Sequence, residues 1–174
     1  ENVFKAGVKN RCKVIFASTS DVYGKNPHLP FSEESDLYLG ETNVRRWAYA
    51  CSKLFDEHLA FAYAQELGLR VVGVRLFGSY GPHQSLTWWG GPQSVFINAA
   101  LKNEPMEIHG DGKQTRSFTY IDDTLDGLMR IIEKREADGQ IFNIGDTKEI
   151  SIVDLARMVW KLVCDDEPKL KYIS

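Results

Sequence analysis

Two apolar runs, and the long amphipathic segment between them, predict the central elements of the fold. Residues 13–18 and 70–77 are short and largely apolar, as expected of strands buried on both faces of a parallel sheet. Residues 46–67 carry apolar side chains at helical spacing on more than one face, and Gly68 follows as a helix C-cap. A strand, a helix and a strand in this order form a right-handed crossover unit. The pattern therefore predicts an α/β fold.

Shorter elements surround this unit. A polar, proline-containing surface loop is predicted at residues 25–44. The other predicted strands lie at residues 106–109, 115–120 and 141–144, and the other predicted helices at residues 1–9, at 94–102 and from Asp122 onward. Residues 170–173 alternate like a strand without a sheet partner. A chain that opens within a helix and closes within a strand is expected to be a segment of a longer protein.

The last predicted helix begins at a capping box. Ser151 and Asp154 have the spacing at which each side chain can bond the other's backbone N–H group. The inward-facing residues of this helix are expected to be Ile152, Leu155, Val159 and Leu162.

Composition excludes several classes of function. The 174 residues are 43% hydrophobic and 26% charged, with a net charge of -3, which gives no electrostatic footprint for nucleic acid or an anionic membrane. Charged residues interrupt every apolar run, so no membrane-spanning helix is expected, and no signal peptide is expected before the first strand. Three cysteines without metal or redox spacing predict reduced, mostly buried thiols in a cytoplasmic protein. The four scattered histidines predict no metal site.

The helix at residues 46–67 carries a phenol and an ammonium on one face. Tyr49 and Lys53 are four residues apart, so their side chains lie one above the other. A positive charge about 4 Å from a phenolate favours the ionised form by about 4 kcal/mol at an effective dielectric near 20, which makes a phenol a usable base near neutral pH. The spacing also occurs by chance in helices where the tyrosine is core and the lysine is solvated.

A polar turn follows the first strand. Thr19, Ser20 and Asp21 lie at the carboxyl end of residues 13–18, the edge at which open α/β sheets bind ligands. The hydroxyls can donate to a substrate oxygen and the carboxylate can move a proton; alternatively, all three satisfy their own backbone. Farther along, Trp88 and Trp89 are expected either to pin a loop or to cover a ligand. Arg116 suits a phosphate or a surface ion pair.

Taken together, these motifs resemble the extended short-chain dehydrogenase/reductases, the NAD-dependent nucleotide-sugar epimerases, dehydratases and decarboxylases. The resemblance extends from Lys13 to about Tyr172 and includes the Tyr-x-x-x-Lys helix. The other matching motifs are S-T-S-D-V-Y-G at 18–24, R-L-F-G-S-Y-G-P at 75–82, G-D-G-K-Q-T-R-S-F-T-Y-I-D-D at 110–123 and F-N-I-G at 142–145. The glycine-rich dinucleotide fingerprint of such proteins is expected upstream of Glu1.

The resemblance implies a role for each matching residue. Tyr49 would take the proton of the sugar 4-hydroxyl while a hydride passes to NAD. Lys53 would favour the phenolate and hold the nicotinamide ribose, and Thr19 would relay the proton. Ser18 and Phe77 are expected beside the cofactor. Substrate contacts are expected at Thr19, Gly78, Val95, His109 and Arg116, with Arg116 on the nucleotide diphosphate of a UDP- or dTDP-sugar.

The turn residues bear on the reaction that follows oxidation. Related dehydratases carry Asp-Glu after the threonine, whereas this chain has one carboxylate, one position later. Uronate decarboxylases carry Ser-Glu after the threonine. Ser20-Asp21 resembles that pattern, with an acidic side chain that is one methylene shorter. Gly78 stands where many members have a substrate-binding asparagine, and Val95 where the decarboxylases have another. We favour an epimerase-type enzyme, with a UDP-glucuronate decarboxylase as the alternative. A non-enzymatic hypothesis is that this chain is a non-catalytic fragment that cannot bind NAD by itself.

The resemblance also implies a division of the chain. Residues 1–78 and 118–142 are expected to form part of a Rossmann-type NAD-binding domain. Residues 79–117 and 143–174 are expected to form a smaller, incomplete α/β lobe for the nucleotide sugar. The two apolar faces of the helix at 46–67 suggest a homodimer through that helix.

Overall fold

The computed structural model describes residues 1–87 and 90–173, so the prediction for Trp88 and Trp89 lies outside the described residues. The chain forms two units, each built from two segments. Unit 1 consists of Glu1–Phe77 and Asp123–Ile144, and unit 2 of Gly78–Asp122 and Gly145–Ser174.

The predicted elements occur in the predicted order, together with short strands at residues 78–80 and 149–151 that were not predicted. In the chain they are α1 (Asn2–Asn10), β1 (Val14–Thr19), α2 (Arg46–Leu67), β2 (Val71–Leu76), β3 (Gly78–Tyr80), α3 (Pro92–Leu101), β4 (Met106–His109), β5 (Thr115–Tyr120), α4 (Ile121–Glu133), β6 (Ile141–Ile144), β7 (Glu149–Ser151), α5 (Ile152–Val163) and β8 (Leu170–Ile173). A 3-10 turn, Ser20–Tyr23, follows β1 directly.

Unit 1 is built on a parallel sheet with the strand order β1-β2-β6. In its register, Ser18 of β1 is opposite Arg75 of β2, and Arg75 is opposite Asn143 of β6. All five residues from Val71 to Arg75 are buried, as expected of the middle strand of a sheet covered on both faces. The α/β prediction, with a parallel sheet and a helical crossover between β1 and β2, is confirmed.

Unit 2 contains a β3-β5-β7 sheet and a β4-β8 pair. Here β8 pairs in parallel with β4, so the expectation that residues 170–173 lack a sheet partner was wrong. The long sequence separation of β4 and β8 concealed this pairing. The core of the unit surrounds Trp160, which is fully buried. Of the four residues of α5 expected to face inward, Ile152, Leu155 and Val159 are buried, but Leu162 in its last turn is 81% exposed.

Two further expectations concern exposure. Cys12 and Cys51 are exposed and Cys164 is partly buried, all three as free thiols, so the expectation of mostly buried cysteines was wrong. Cys12 follows the end of α1, and Cys51 lies on an exposed side of α2. Helical spacing alone did not distinguish these exposed positions from buried ones. Among the helices that the structure describes, none has the length and apolarity required to cross a membrane.

Candidate functional site

The phenol and the ammonium lie in the first two turns of α2, as predicted. Tyr49 is 52% exposed, and Lys53 donates a hydrogen bond from Nζ to the carbonyl oxygen of Ala17 in β1 at 2.8 Å. The helix also packs against β1 and the turn after it. This face of α2 is therefore fixed to the carboxyl end of β1, with the phenol still accessible.

The start of α2 is anchored by Trp47. This side chain is buried, and the guanidinium of Arg46 lies 5.0 Å from the centre of its ring. Gly40 comes so close to the indole that a Cβ atom there would overlap its nitrogen. Since Trp47 lies two residues before Tyr49, its packing fixes the first turn of α2, which carries Tyr49.

Thr19 ends β1 and begins the turn that follows it. Its Oγ1 accepts a hydrogen bond of 3.2 Å from the backbone N–H of Asp21, so the hydroxyl does cap its own turn. That bond uses an acceptor position and not the hydroxyl proton. Thr19 is buried, whereas Asp21 is exposed. The turn thus presents a hydroxyl and a carboxylate at the carboxyl end of β1.

A buried ion pair lies directly behind these residues. Arg75 of β2 binds Glu57 of α2 through two hydrogen bonds, of 2.8 Å (Nη2 to Oε2) and 3.1 Å (Nε to Oε1). Ser18 donates to the same carboxylate. Burial lowers the pKa of Arg75, but hydrogen bonds from Arg75 to Glu57 and Tyr23 outweigh it and hold the pKa above its ordinary value.

The network continues to Tyr23, which is fully buried. Its hydroxyl accepts from Arg75 Nη1 at 2.8 Å and lies 2.7 Å from Asn143 Oδ1 in β6. Its ring stacks on that of Phe31, with the ring centres 4.5 Å apart. This contact packs the surface loop at residues 25–44 against the network. Sequence reasoning missed this network. The signals were an arginine within an apolar strand and a glutamate four residues after Lys53 on the same helical face.

The other predicted positions are distributed as follows. Ser18 is 3% exposed with its hydroxyl directed to Glu57, and the backbone N–H of Phe77 donates to Ile144. In unit 2, Gly78 opens β3, Val95 lies in the first turn of α3, His109 ends β4, and Arg116 is exposed on β5. Tyr49, Lys53, Thr19, Ser20 and Asp21 all belong to unit 1, where α2 packs against β1 and the turn that follows it.

A cleft of about 320 Å³ lies elsewhere in unit 1, lined by the end of α1 and by Leu67, Gly68, Leu69 and Arg70. These residues precede β2, so the cleft is at the amino end of the sheet. It lies opposite the edge that carries Thr19 and does not include Tyr49 or Lys53. We therefore place the candidate site at the carboxyl edge.

Comparisons with known proteins identify the family of this chain. Residues 1–145 match the NAD dependent epimerase/dehydratase family. The chain is 42% identical over 161 residues to UDP-N-acetyl-alpha-D-glucosaminuronate decarboxylase of Bacillus cytotoxicus, covering 92% of this chain and 49% of that protein.

Solved structures extend the likeness to the fold. UDP-glucuronic acid 4-epimerase from Bacillus cereus, in complex with NAD, superposes with a TM-score of 0.86 at 30% identity, covering 99% of this chain and 52% of the other. UDP-N-acetylglucosamine 4-epimerase from Methanobrevibacter ruminantium M1, in complex with UDP-N-acetylmuramic acid, gives 0.88 at 27%, covering 99% and 54%. The chain thus spans about half the length of these relatives, and its fold is of the Rossmann type predicted from the sequence.

Proposed function

Since this chain belongs to the NAD dependent epimerase/dehydratase family, we propose that the protein containing it oxidises the 4-hydroxyl of a UDP-sugar and then reduces the ketone again, as a 4-epimerase does. The observation that carries this proposal is the position of Tyr49 and Lys53 beside the carboxyl end of β1. There Lys53 is held by Ala17 and Tyr49 remains accessible.

The side chains at this edge fit the NAD that the family uses. Lys53 has three N–H donors, of which one binds the carbonyl of Ala17, so donors remain for the hydroxyls of a ribose. Tyr49 is accessible on the same face. When bound, NAD supplies the reversible two-electron oxidation of the sugar alcohol. In this proposal Lys53 binds the nicotinamide ribose, with Tyr49, Ser18 and Phe77 also beside the cofactor.

The residues of this chain perform the proton chemistry. Tyr49 takes the proton of the 4-hydroxyl, and the ammonium of Lys53, one helical turn away, stabilises the negative charge of the reacting oxygens during the transfer. The Thr19 hydroxyl hydrogen-bonds the same sugar oxygen and thus orients it toward the phenol. In the return direction Tyr49 gives the proton back after the 4-keto sugar has presented its other face.

A second candidate is decarboxylation of a UDP-hexuronate, favoured by the 42% identity to a UDP-N-acetylglucosaminuronate decarboxylase. Oxidation at C4 of a hexuronate produces a β-keto acid, which loses carbon dioxide readily, and the resulting enolate must then be protonated at C5. Ser20 and Asp21, in the turn after Thr19, are the polar groups we assign to this later step.

We assign the nucleotide half of the substrate to unit 2. Arg116 would bind the diphosphate, and its guanidinium is exposed, with Nη1 on the carbonyl of Thr115. Gly78, Val95 and His109 would line the rest of the sugar-nucleotide site, while unit 1 contributes to NAD binding. We also propose a homodimer through the outer face of α2, where Phe55 is 64% exposed.

The test uses the full-length protein with NAD and a panel of UDP-glucose, UDP-N-acetylglucosamine, UDP-glucuronate, UDP-N-acetylglucosaminuronate and dTDP-glucose. Proton NMR of the products detects C4 epimers, and a 13C label at C6 detects carbon dioxide. Interconversion of epimers supports the epimerase, and release of labelled carbon dioxide supports the decarboxylase. Absence of both products with every UDP-sugar would contradict the proposed function.

A further inference from the structure

The buried network behind the site connects the face of α2 that carries the phenol to the turn that carries Thr19. Tyr49, Lys53 and Glu57 are spaced four residues apart, so they follow one face of α2. Lys53 bonds to β1 through Ala17, and Glu57 bonds to β1 through Ser18. This face is therefore fastened to consecutive residues of β1 immediately before Thr19.

The same network also holds the far end of the turn. Ser18 directly precedes Thr19, and Tyr23 is the last residue of the 3-10 turn. Ser18 is bonded to Glu57, and Tyr23 to Arg75, whose guanidinium carbon also lies 4.8 Å from the centre of the Tyr23 ring. Both ends of the segment with Thr19, Ser20 and Asp21 are thus tied to one ion pair.

We propose that the Glu57–Arg75 pair is a positioning device, which sets Tyr49 and Lys53 on α2 relative to the Thr19 hydroxyl. The proposal rests on the proposed function, because it assigns these three groups to the same proton transfer. Buried ion pairs contribute little net stability compared with apolar residues of similar size. A fully hydrogen-bonded buried network does, however, have one well-defined arrangement. Neither Glu57 nor Arg75 is assigned any contact with substrate.

The test replaces both charges at once in the full-length protein. The double variant Glu57→Leu with Arg75→Met leaves no unpaired buried charge, so its fold is expected to persist. Ser18→Ala is a milder second variant, which removes one hydrogen bond and leaves the ion pair intact. The matched control, Asp126→Leu with Arg130→Met, removes an exposed ion pair on α4 with the same types of replacement.

Steady-state kinetics and amide hydrogen exchange are measured on each protein. We expect kcat of the double variant to fall about 10- to 100-fold, as misplacement of reacting groups by about 1 Å does. The KM for the UDP-sugar should stay within about twofold. Exchange should accelerate in peptides covering residues 19–23 and 46–53 but not in α5. Ser18→Ala should change both readouts in the same direction by less, and the control should change neither.

The outcomes separate this proposal from the proposed function. A folded double variant with wild-type kcat and wild-type exchange at residues 19–23 and 46–53 would overturn the positioning role. A decrease confined to the melting temperature, with kcat and KM retained, would also overturn it, since the pair would then act on stability alone. If the wild-type protein turns over no UDP-sugar, the proposed function fails. Hydrogen exchange, which needs no substrate, still decides whether the pair orders both segments.

Discussion

Lys53 donates a hydrogen bond of 2.8 Å to the backbone carbonyl of Ala17, two residues before Thr19. A flexible lysine is thereby held at a defined place beside the end of β1, while the phenol one helical turn earlier remains accessible. Tyr49 and Lys53 are four residues apart on a helix, so their side chains lie on one face. The carbonyl oxygen of Ala17 in the sheet fixes the ammonium of Lys53. The roles proposed for both side chains depend on this arrangement.

Replacing Tyr49 with Phe removes the proposed proton acceptor and keeps the ring. We expect kcat of the full-length protein on its UDP-sugar to fall about 10²- to 10⁴-fold, the usual contribution of a positioned general base. Melting temperature should change little, because the side chain is 52% exposed. The control is Tyr63→Phe on the same helix, where the ring packs against Phe4. Turnover by Tyr49→Phe at the wild-type rate would remove Tyr49 from its assigned role.

Replacing Lys53 with Met removes both the charge and the bond to Ala17. We expect kcat/KM for the sugar nucleotide to fall about 10²-fold, because the phenolate loses its neighbouring cation and the ribose of NAD loses a donor. The KM for NAD should rise as well. Kinetics with NAD and with sugar varied separately check both effects. The control is Lys161→Met in α5, and an unchanged KM for NAD would argue against the ribose contact.

Gly40→Ala tests the anchor at the start of α2. The added methyl group would overlap the indole nitrogen of Trp47, so the buried ring must move and the first turn of α2 with it. Overpacking of this kind costs about 1–3 kcal/mol of unfolding free energy. We expect a lower urea midpoint together with a lower kcat. Gly139→Ala, where a Cβ atom has open space but φ is +79°, strains the backbone far from the start of α2 and should lower the urea midpoint without lowering kcat.

Asp138 predicts a pH dependence of stability. Burial raises the pKa of its carboxyl, but Arg70 and Lys13, at 2.7 and 3.0 Å, outweigh burial and hold the pKa below its ordinary value. The lowered pKa means that the stabilisation is present above about pH 4, the unfolded value, and is lost as pH falls through the folded value. Asp138→Asn should therefore lower the unfolding free energy by about 1–3 kcal/mol at neutral pH.

This difference should shrink progressively below about pH 4. Urea unfolding of the full-length protein and of Asp138→Asn, at pH 7 and in steps below pH 4, measures it. Asp111→Asn, in an exposed pair with Lys113, is the control and should show little difference at any pH. A gap between Asp138→Asn and the wild type that widens toward acid would contradict a lowered pKa of Asp138 in the folded protein.

The proposed dimer predicts an effect of Phe55→Ser. Burying a phenylalanine contributes about 1.5–3 kcal/mol, so losing it from each protomer should raise the dissociation constant of the dimer at least about tenfold. Analytical ultracentrifugation across a dilution series measures this constant. The control is Leu162→Ser, which is 81% exposed on α5. A wild-type protein that sediments as a monomer at high concentration would contradict the dimer.

The sequence predicted local elements well and long-range partners poorly. The span of α2 and the ranges of β4, β5 and β6 agree with the predictions, because apolar spacing and helix caps are local signals. The pairing of β8 with β4 was missed, since more than sixty residues separate them. Leu162 was placed inward because spacing gives a helical face but does not tell how much of that face the neighbouring elements cover.

By itself, the sequence determined the α/β class, the Tyr49–Lys53 pair on one helical face, and the hydroxyl-rich turn after the first strand. Those features depend on residues close together in the chain. Only the tertiary structure decided that Lys53 is held by Ala17 and that Glu57 meets Arg75 and Ser18 behind the turn. A charge in an apolar strand is neutralised by whichever partner the packing of helix on sheet brings close, and that partner is set by the whole fold.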